Sequence, residues 1–275
     1  MLRTWLRTFL FIPHCPGCET PLRSSESDWG FCSLCQESLI PWPPNGCIRC
    51  GRVLESTNKG QCGPCLVESP ALLSSTSALI YGGPIRAAIL RWKRQKSYGA
   101  GTHELARLLK QLDLIPSSGV DAWVPIPPNP SHQRGRDFTP TETLASALSM
   151  RGKSCPPIRC VLKETGRTGK GPSGERRYLV SDDVEGLHLL LIDDVRTTGN
   201  TGDCAARALL RAGAEQVSLW TLARSPLPHE PCPFTVSNPS EGQWSDSTLF
   251  PNSDTTPERP LPSQSSRLRS PLHSS

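Results

Sequence analysis

Apolar residues recur at helical spacing along PIRAAILRWKRQK, where Ile85, Ala88, Ile89 and Trp92 share one side and Pro84 suits a helix start. His103–Leu112 repeats the pattern with Leu105, Leu108, Leu109 and Leu112, as does Phe138–Met150 with Leu144, Ala147 and Leu148. Strand-like runs alternate with these helices: SALIYGG (Ser77–Gly83), DAWVPIP (Asp121–Pro127) and QVSLWTLAR (Gln216–Arg224). GLHLLLIDD is a continuous apolar run of the kind buried on both faces of a parallel sheet. Thr201–Ala212 then predicts a helix, with Gly213 as its C-terminal stop. The alternation predicts an α/β domain with a mostly parallel sheet over residues 72–224.

The flanks read differently. Residues 1–10 carry the spacing of a short amphipathic helix. From Ser225 to Ser275 the chain is Pro- and Ser-rich without periodicity, a composition that cannot offset its ordering entropy, and disorder is expected there. KETGRTGKGPSGERR (Lys163–Arg177) has the glycines and cations of a mobile loop that closes over an anion. No apolar run approaches the ~20 residues that cross a bilayer, and the N-terminus lacks the pattern of an export signal, so a cytoplasmic protein is expected.

Between these flanks, residues 11–66 hold too few large apolar residues for a core of their own. They do hold eight of the 12 cysteines, as four Cys-x-x-Cys pairs: Cys15/Cys18, Cys32/Cys35, Cys47/Cys50 and Cys62/Cys65. Each pair lets a tight turn present two thiolates to one ion, and two pairs complete a tetrahedral zinc site. Disulfides would suit an exported chain, and redox Cys-x-x-Cys motifs come singly at a helix start, whereas these four sit among prolines and glycines. About two structural zinc ions in a double zinc ribbon are therefore expected, with metal binding itself folding the segment. A sequential arrangement, the first two pairs and then the last two, needs only local hairpins and is preferred to an interleaved one.

Candidate chemistry lies in LLLIDDVRTTGNTG (Leu189–Gly202). The apolar strand ends at the carboxyl edge of the sheet, where α/β domains bind ligands, and Asp193 and Asp194 leave it there. Backbone amides from Thr197 to Thr201 can wrap an anion at the start of the next helix, and Gly199 permits close approach. A ligand with a phosphate at one end and a diol nearby, a ribose 5-phosphate, satisfies both halves. Competing readings are a receiver domain, which lacks the Thr-Thr-Gly-x-Thr loop; a P-loop ATPase, whose upstream motif is missing; and a plain structural turn.

VRTTGNT after LLLIDD resembles the phosphoribosyl-pyrophosphate motif of type I phosphoribosyltransferases. With the cysteine-rich front, the chain from about residue 11 to 224 resembles the ComF/GntX family, bacterial proteins with an amino-terminal zinc ribbon and a phosphoribosyltransferase-like domain. The resemblance implies that Asp193 and Asp194 bind the ribose hydroxyls, directly or through Mg²⁺. It also implies that Val195, Arg196, Thr197, Thr198, Gly199, Asn200 and Thr201 form the 5-phosphate loop. Lys93 takes the place of the family's lysine after the first apolar helix. Arg134, Gly135 and Arg176 match parts of the family's Arg-Gly-Phe-Asn-Gln and Glu-Arg segments, which implies a pyrophosphate side. It thus implies transfer of a phosphoribosyl group from phosphoribosyl pyrophosphate to a nitrogenous acceptor.

Charge adds a second candidate. The net +5 favours anionic partners but is too small to identify a nucleic acid by itself. Much of it sits in Arg91-Trp92-Lys93-Arg94-Gln95-Lys96. This is either a solvated helix face or, with Trp92 stacking on bases, a contact for single-stranded DNA. The family's association with DNA uptake in transformable bacteria is in keeping with the latter, and in that case the ribose-phosphate pocket would bind without turnover.

Overall fold

Two copies of one small motif begin the fold. The computed structural model describes residues 13–26, 28–44, 46–54, 60–94, 100–114, 119–129, 138–150, 155–167 and 176–227. The expected helix at 1–10, Arg134, Gly135 and all but the first three residues of the expected tail lie outside them. In the first copy the Glu19 amide donates to the Cys15 carbonyl at 2.7 Å, and in the second the Gly51 amide donates to that of Cys47 at 2.7 Å. The residue after the second cysteine is left-handed in both, with φ 65° at Glu19 and 69° at Gly51. Each knuckle precedes a short helix whose N-cap is the third cysteine: α1 (Ser33–Glu37) after Cys32 and α2 (Gly63–Glu68) after Cys62.

The remainder alternates as expected: β1 (Ser75–Ile80), α3 (Gly83–Arg94), α4 (Ala100–Gln111), β2 (Ala122–Pro125), α5 (Pro140–Ser149), β3 (Leu162–Arg167), β4 (Arg176–Val180), β5 (His188–Arg196), α6 (Asn200–Arg211) and β6 (Gln216–Arg224). Four strands form a sheet in the order β1-β6-β5-β2, every pairing parallel. β5 is central, and its side chains alternate between two cores. Leu190 and Ile192 join α3, α4 and α5, whereas Leu189 and Leu191 join α6 and the β3–β4 hairpin. That two-sided burial is why its sequence is continuously apolar. α6 ends where Gly213 adopts φ 100°, the expected stop.

One segment differs from expectation. Leu162–Arg167 and Arg176–Val180 pair as an antiparallel hairpin where a mobile loop was anticipated between Lys163 and Arg177. Its inward side chains include Leu162, Glu164 and Tyr178, and the buried Glu164 with the polar residues around it hid the two-residue period.

The cysteine-rich segment packs directly on the sheet. Cys15, Phe31, Cys32 and Cys35 share a core with Ile85, Ile89 and Trp92. Trp42 and Ile80 exchange backbone bonds across the junction, Trp42 N to Ala78 O at 2.9 Å and Ile80 N to Ile40 O at 2.8 Å. Side chains of the larger domain thus supply apolar area that residues 11–66 lack.

Candidate functional site

The carboxyl ends of β1, β2 and β5 open onto one cleft of about 340 Å³. Asp193, Asp194, Val195, Thr197 and Thr201 line it from β5 and the turn into α6. Lys93 reaches it from the end of α3, and Arg176 from the start of β4. Stretches far apart in sequence, from Tyr81 to Thr201, therefore converge on the point that the Asp-Asp pair marks.

Asp194 is buried and its Oδ2 lies 2.7 Å from Lys93 Nζ. Burial acts to lower the Lys93 pKa, but Asp194, with Asp193 and Tyr81, acts the other way and the net direction is upward. Asp193 is half-buried, and its Oδ1 accepts the Asp194 amide at 2.8 Å. Burial, followed by the negative charge of Asp194, pushes the Asp193 carboxyl up to about 7. Two carboxylates this close share the cost of ionising, and a cation or a pair of hydroxyl donors would relieve it. The pair therefore fits a divalent cation or a vicinal diol.

The turn after the strand is open. Among the described residues, the amides of Thr197, Thr198, Gly199 and Thr201 have no hydrogen-bond acceptor, and Asn200 N reaches only Thr198 Oγ1 at 3.5 Å. Gly199 is the N-cap of α6 with φ 91° and ψ −5°, a conformation that turns successive amides toward one side. Such a turn, at the start of a twelve-residue helix, could hold an anion.

Arg196 stands apart from this loop. Its side chain leaves the cleft, is only 8% exposed, and donates from Nη1 to Ser75 Oγ at 2.9 Å. A Cβ on Gly199 would sit 2.4 Å from Arg196 Nη2, so the guanidinium runs directly beneath the turn. Arg196 supports the loop from behind and does not face a ligand.

Arg176 Nη1 is 3.0 Å from Glu164 Oε2, which is buried, so the hairpin delivers a cation already partnered by its own strand pair. Sequence reasoning missed Tyr81, Asn129 and Thr141 of the cleft lining. Tyr81 directly follows β1, and Asn129 follows the proline-rich exit of β2. Position just beyond a parallel strand was the available signal.

The cysteines assemble in sequence order. Cys15, Cys18, Cys32 and Cys35 form one group and Cys47, Cys50, Cys62 and Cys65 another, with all sulfurs of a group within 4.8 Å. Tetrahedral ligands on Zn–S bonds of ~2.3 Å fit that spread, so each group could bind a zinc ion. Cys18 Sγ lies 3.6 Å from Cys32 Sγ, and Cys50 Sγ lies 3.5 Å from Cys62 Sγ, well beyond an S–S bond. In the first group the Thr20 hydroxyl pulls the Cys18 thiol down to about 6, while burial pushes Cys35 up. In the second, amides of Cys50 and Cys62 overcome burial and bring Cys47 to about 7, while burial pushes Cys65 up.

The basic stretch of α3 does not form a DNA-stacking platform. Trp92 is 1% exposed, and its Nε1 donates to Thr102 Oγ1 at 2.8 Å. It continues the apolar face of Ile85, Ala88 and Ile89, so helical periodicity places the indole in the core. Arg91 pairs with Glu19 at 3.1 Å and Lys93 with Asp194, which commits two of the cations to internal partners. Lys96 lies outside the described residues.

No family model matches the chain. It is 37% identical over 237 residues to Competence protein ComFC of Bacillus subtilis, an alignment that covers 81% of this chain and 90% of that protein. The chain belongs to the ComF family. Other ComF relatives include the DNA utilization protein YhgH of Salmonella typhimurium, 28% identical over 77% of this chain and 96% of that one. Competence protein F of Haemophilus influenzae is 27% identical over 71% and 91% respectively. Mycobacterium tuberculosis orotate phosphoribosyltransferase overlaps 50% of this chain and 66% of its own at 17% identity. The TM-score of that overlap is 0.30, and the parallel architecture of this ComF-family chain is set by its own strand order, β1-β6-β5-β2. No described helix is long and apolar enough to cross a membrane.

Proposed function

We propose that this ComF-family protein binds phosphoribosyl pyrophosphate with Mg²⁺ and transfers the phosphoribosyl group to a nitrogenous acceptor. One observation carries the reading: an Asp-Asp pair and a turn whose amides have no acceptor among the described residues front the same cleft. The turn from Thr197 to Thr201 takes the 5-phosphate, and Asp193 with Asp194 takes the ribose hydroxyls or Mg²⁺. Lys93 and Arg176 border the side where pyrophosphate departs, with Arg134 and Gly135 as further candidates from the sequence. Displacement at ribose C1 builds oxocarbenium character, which negative charge from the aspartates stabilises. When bound, Mg²⁺ neutralises charge on the departing pyrophosphate. The cysteine groups hold structural zinc at residues 11–66, apart in role from the transferase domain at 72–224, since four thiolates leave no open coordination position.

A second reading draws on the relatives named for competence and DNA utilization. In it the cleft recognises a ribose phosphate or a nucleotide end without turnover, as part of single-stranded DNA handling. Calorimetry with phosphoribosyl pyrophosphate and Mg²⁺ on wild type and on Asp193→Asn/Asp194→Asn tests the site. Unchanged affinity in the double variant overturns it. Pyrophosphate release across a panel of bases and amines tests turnover. No release from any of them, together with salt-dependent DNA binding, favours the second reading.

A further inference from the structure

Two arginines lie side by side inside the protein beneath the second cysteine group. Arg196 and Arg224 are direct register partners on β5 and β6 and are 8% and 2% exposed. Interior guanidiniums need compensating negative charge, and two adjacent ones need it more. Among the described residues Arg196 forms no ion pair, and its Nε has no hydrogen-bond partner. Arg224 Nη1 donates to the Cys50 carbonyl, and its guanidinium stacks 4.7 Å over the Trp42 ring. Trp42 in turn donates from Nε1 to the Gly51 carbonyl at 2.9 Å, so the second knuckle is gripped on two sides.

We propose that Arg196 and Arg224 are the charge partners of a divalent metal–tetrathiolate centre at Cys47, Cys50, Cys62 and Cys65, and that Arg196 couples this centre to the turn at Thr197–Gly199. Four thiolates around one divalent ion leave two negative charges in excess, and the two guanidiniums cancel them. Burial and then Arg224 pull the Arg196 pKa down, while the neighbouring Cys50, Cys65 and Asp203 act the other way. Gly51 has no room for a side chain, because a Cβ there would meet Ser75 O at 2.9 Å and Arg224 Nη1 at 3.1 Å. Ser75 donates from its amide to Ile48 O at 3.1 Å, while its hydroxyl accepts Arg196. The path from knuckle to loop is therefore continuous: Cys50 carbonyl, Arg224, Arg196, Gly199. The first group is built differently. Its nearby cation, Arg91, is one-third exposed and already paired with Glu19.

This inference rests on the metal and phosphate-loop readings above, and its test uses no phosphate ligand, so failure of phosphoribosyl pyrophosphate to bind is a separate result. The full chain is loaded with cadmium-113, whose two resonances are assigned to the two centres with Cys15→Ser and Cys65→Ser variants. Metal loss to a chelator is then followed centre by center in Arg196→Met, Arg224→Met and the charge-keeping Arg196→Lys. Loss of an outer partner of this kind costs ~10–100-fold in metal affinity. The second centre should release metal about tenfold or more faster in both Met variants, the first should be unchanged, and Arg196→Lys should restore most of the difference. Amide hydrogen exchange at residues 197–201 should accelerate in Arg196→Met and in wild type whose second centre alone has been emptied. Equal acceleration at both centres, unchanged release in the Met variants, or loop exchange indifferent to the second metal would overturn the proposal. If the Met variants do not fold, exchange in the partly emptied wild type decides.

Discussion

Lys93 Nζ sits 2.7 Å from Asp194 Oδ2 across the cleft, joining the end of one helix to the end of the central strand. A lysine so placed both screens the Asp-Asp pair and competes with any cation for it. A ligand carrying pyrophosphate gives that ammonium another anion to meet.

Lys93→Met should therefore have opposite effects on two ligands. Affinity for Mn²⁺ alone, read by electron paramagnetic resonance as a Mg²⁺ substitute, should rise a few-fold. Affinity for phosphoribosyl pyrophosphate, measured by calorimetry, should fall roughly tenfold, about 1.4 kcal/mol. A fall in both would mean that Lys93 only shapes the site.

Asp193 gives a pH dependence. Its carboxyl is held protonated up to about 7 by burial and by Asp194, so the native state binds a proton that the unfolded state has released. The contribution to stability is thus favourable at low pH and is lost as pH rises toward and through 7. Asp193→Asn should raise the melting temperature by a few degrees at pH 8, about 1–2 kcal/mol after allowance for partial exposure, and change little at pH 4. Ligand affinity in wild type should increase between pH 6 and 8, where the proton leaves.

Gly199 combines φ 91° with an arginine against its α-carbon. Gly199→Ala should cost ~1–3 kcal/mol of stability in chemical denaturation. It should also reduce affinity for inorganic phosphate more than affinity for Mg²⁺, because the turn moves and the aspartates do not.

Metal content should be about two zinc ions per chain by elemental analysis. Because protons compete with the metal for the thiolates, acidification should release metal progressively. Chelation at neutral pH should abolish the near-ultraviolet circular dichroism of the cysteine-rich segment, and Cys62→Ser should lower the metal count by about one.

Trp92→Phe separates core from DNA contact. Loss of buried area and of the bond to Thr102 Oγ1 should lower stability by ~1–3 kcal/mol. The salt dependence and affinity of any single-stranded DNA binding should not change.

The strand–helix alternation, the paired cysteines, the double-faced character of Leu189–Ile192 and the Asp-Asp-to-Thr turn were all legible in the sequence. Each depends on local periodicity or on residues within one turn of chain, where backbone geometry alone dictates neighbours. The β3–β4 hairpin was obscured because its buried positions include Glu164, whose partner Arg176 lies across the hairpin. Trp92 reads two ways in the sequence, as part of the apolar face of its helix and as a member of the cation run around it, and its burial decides for the first. Arg196 groups with the loop after it by adjacency, yet its side chain is buried against Ser75 and turns away from the cleft.

Order along the chain by itself determined the alternating strands and helices of the parallel sheet and where two carboxylates meet a phosphate-sized turn. Only the tertiary structure decided that Lys93 faces Asp194, that the cysteine-rich segment shares a core with the sheet, and that Arg196 and Arg224 lie between the second cysteine group and Gly199. Parallel strands bring together residues more than a hundred positions apart, and burial then forces their charges to find partners that no local pattern announces.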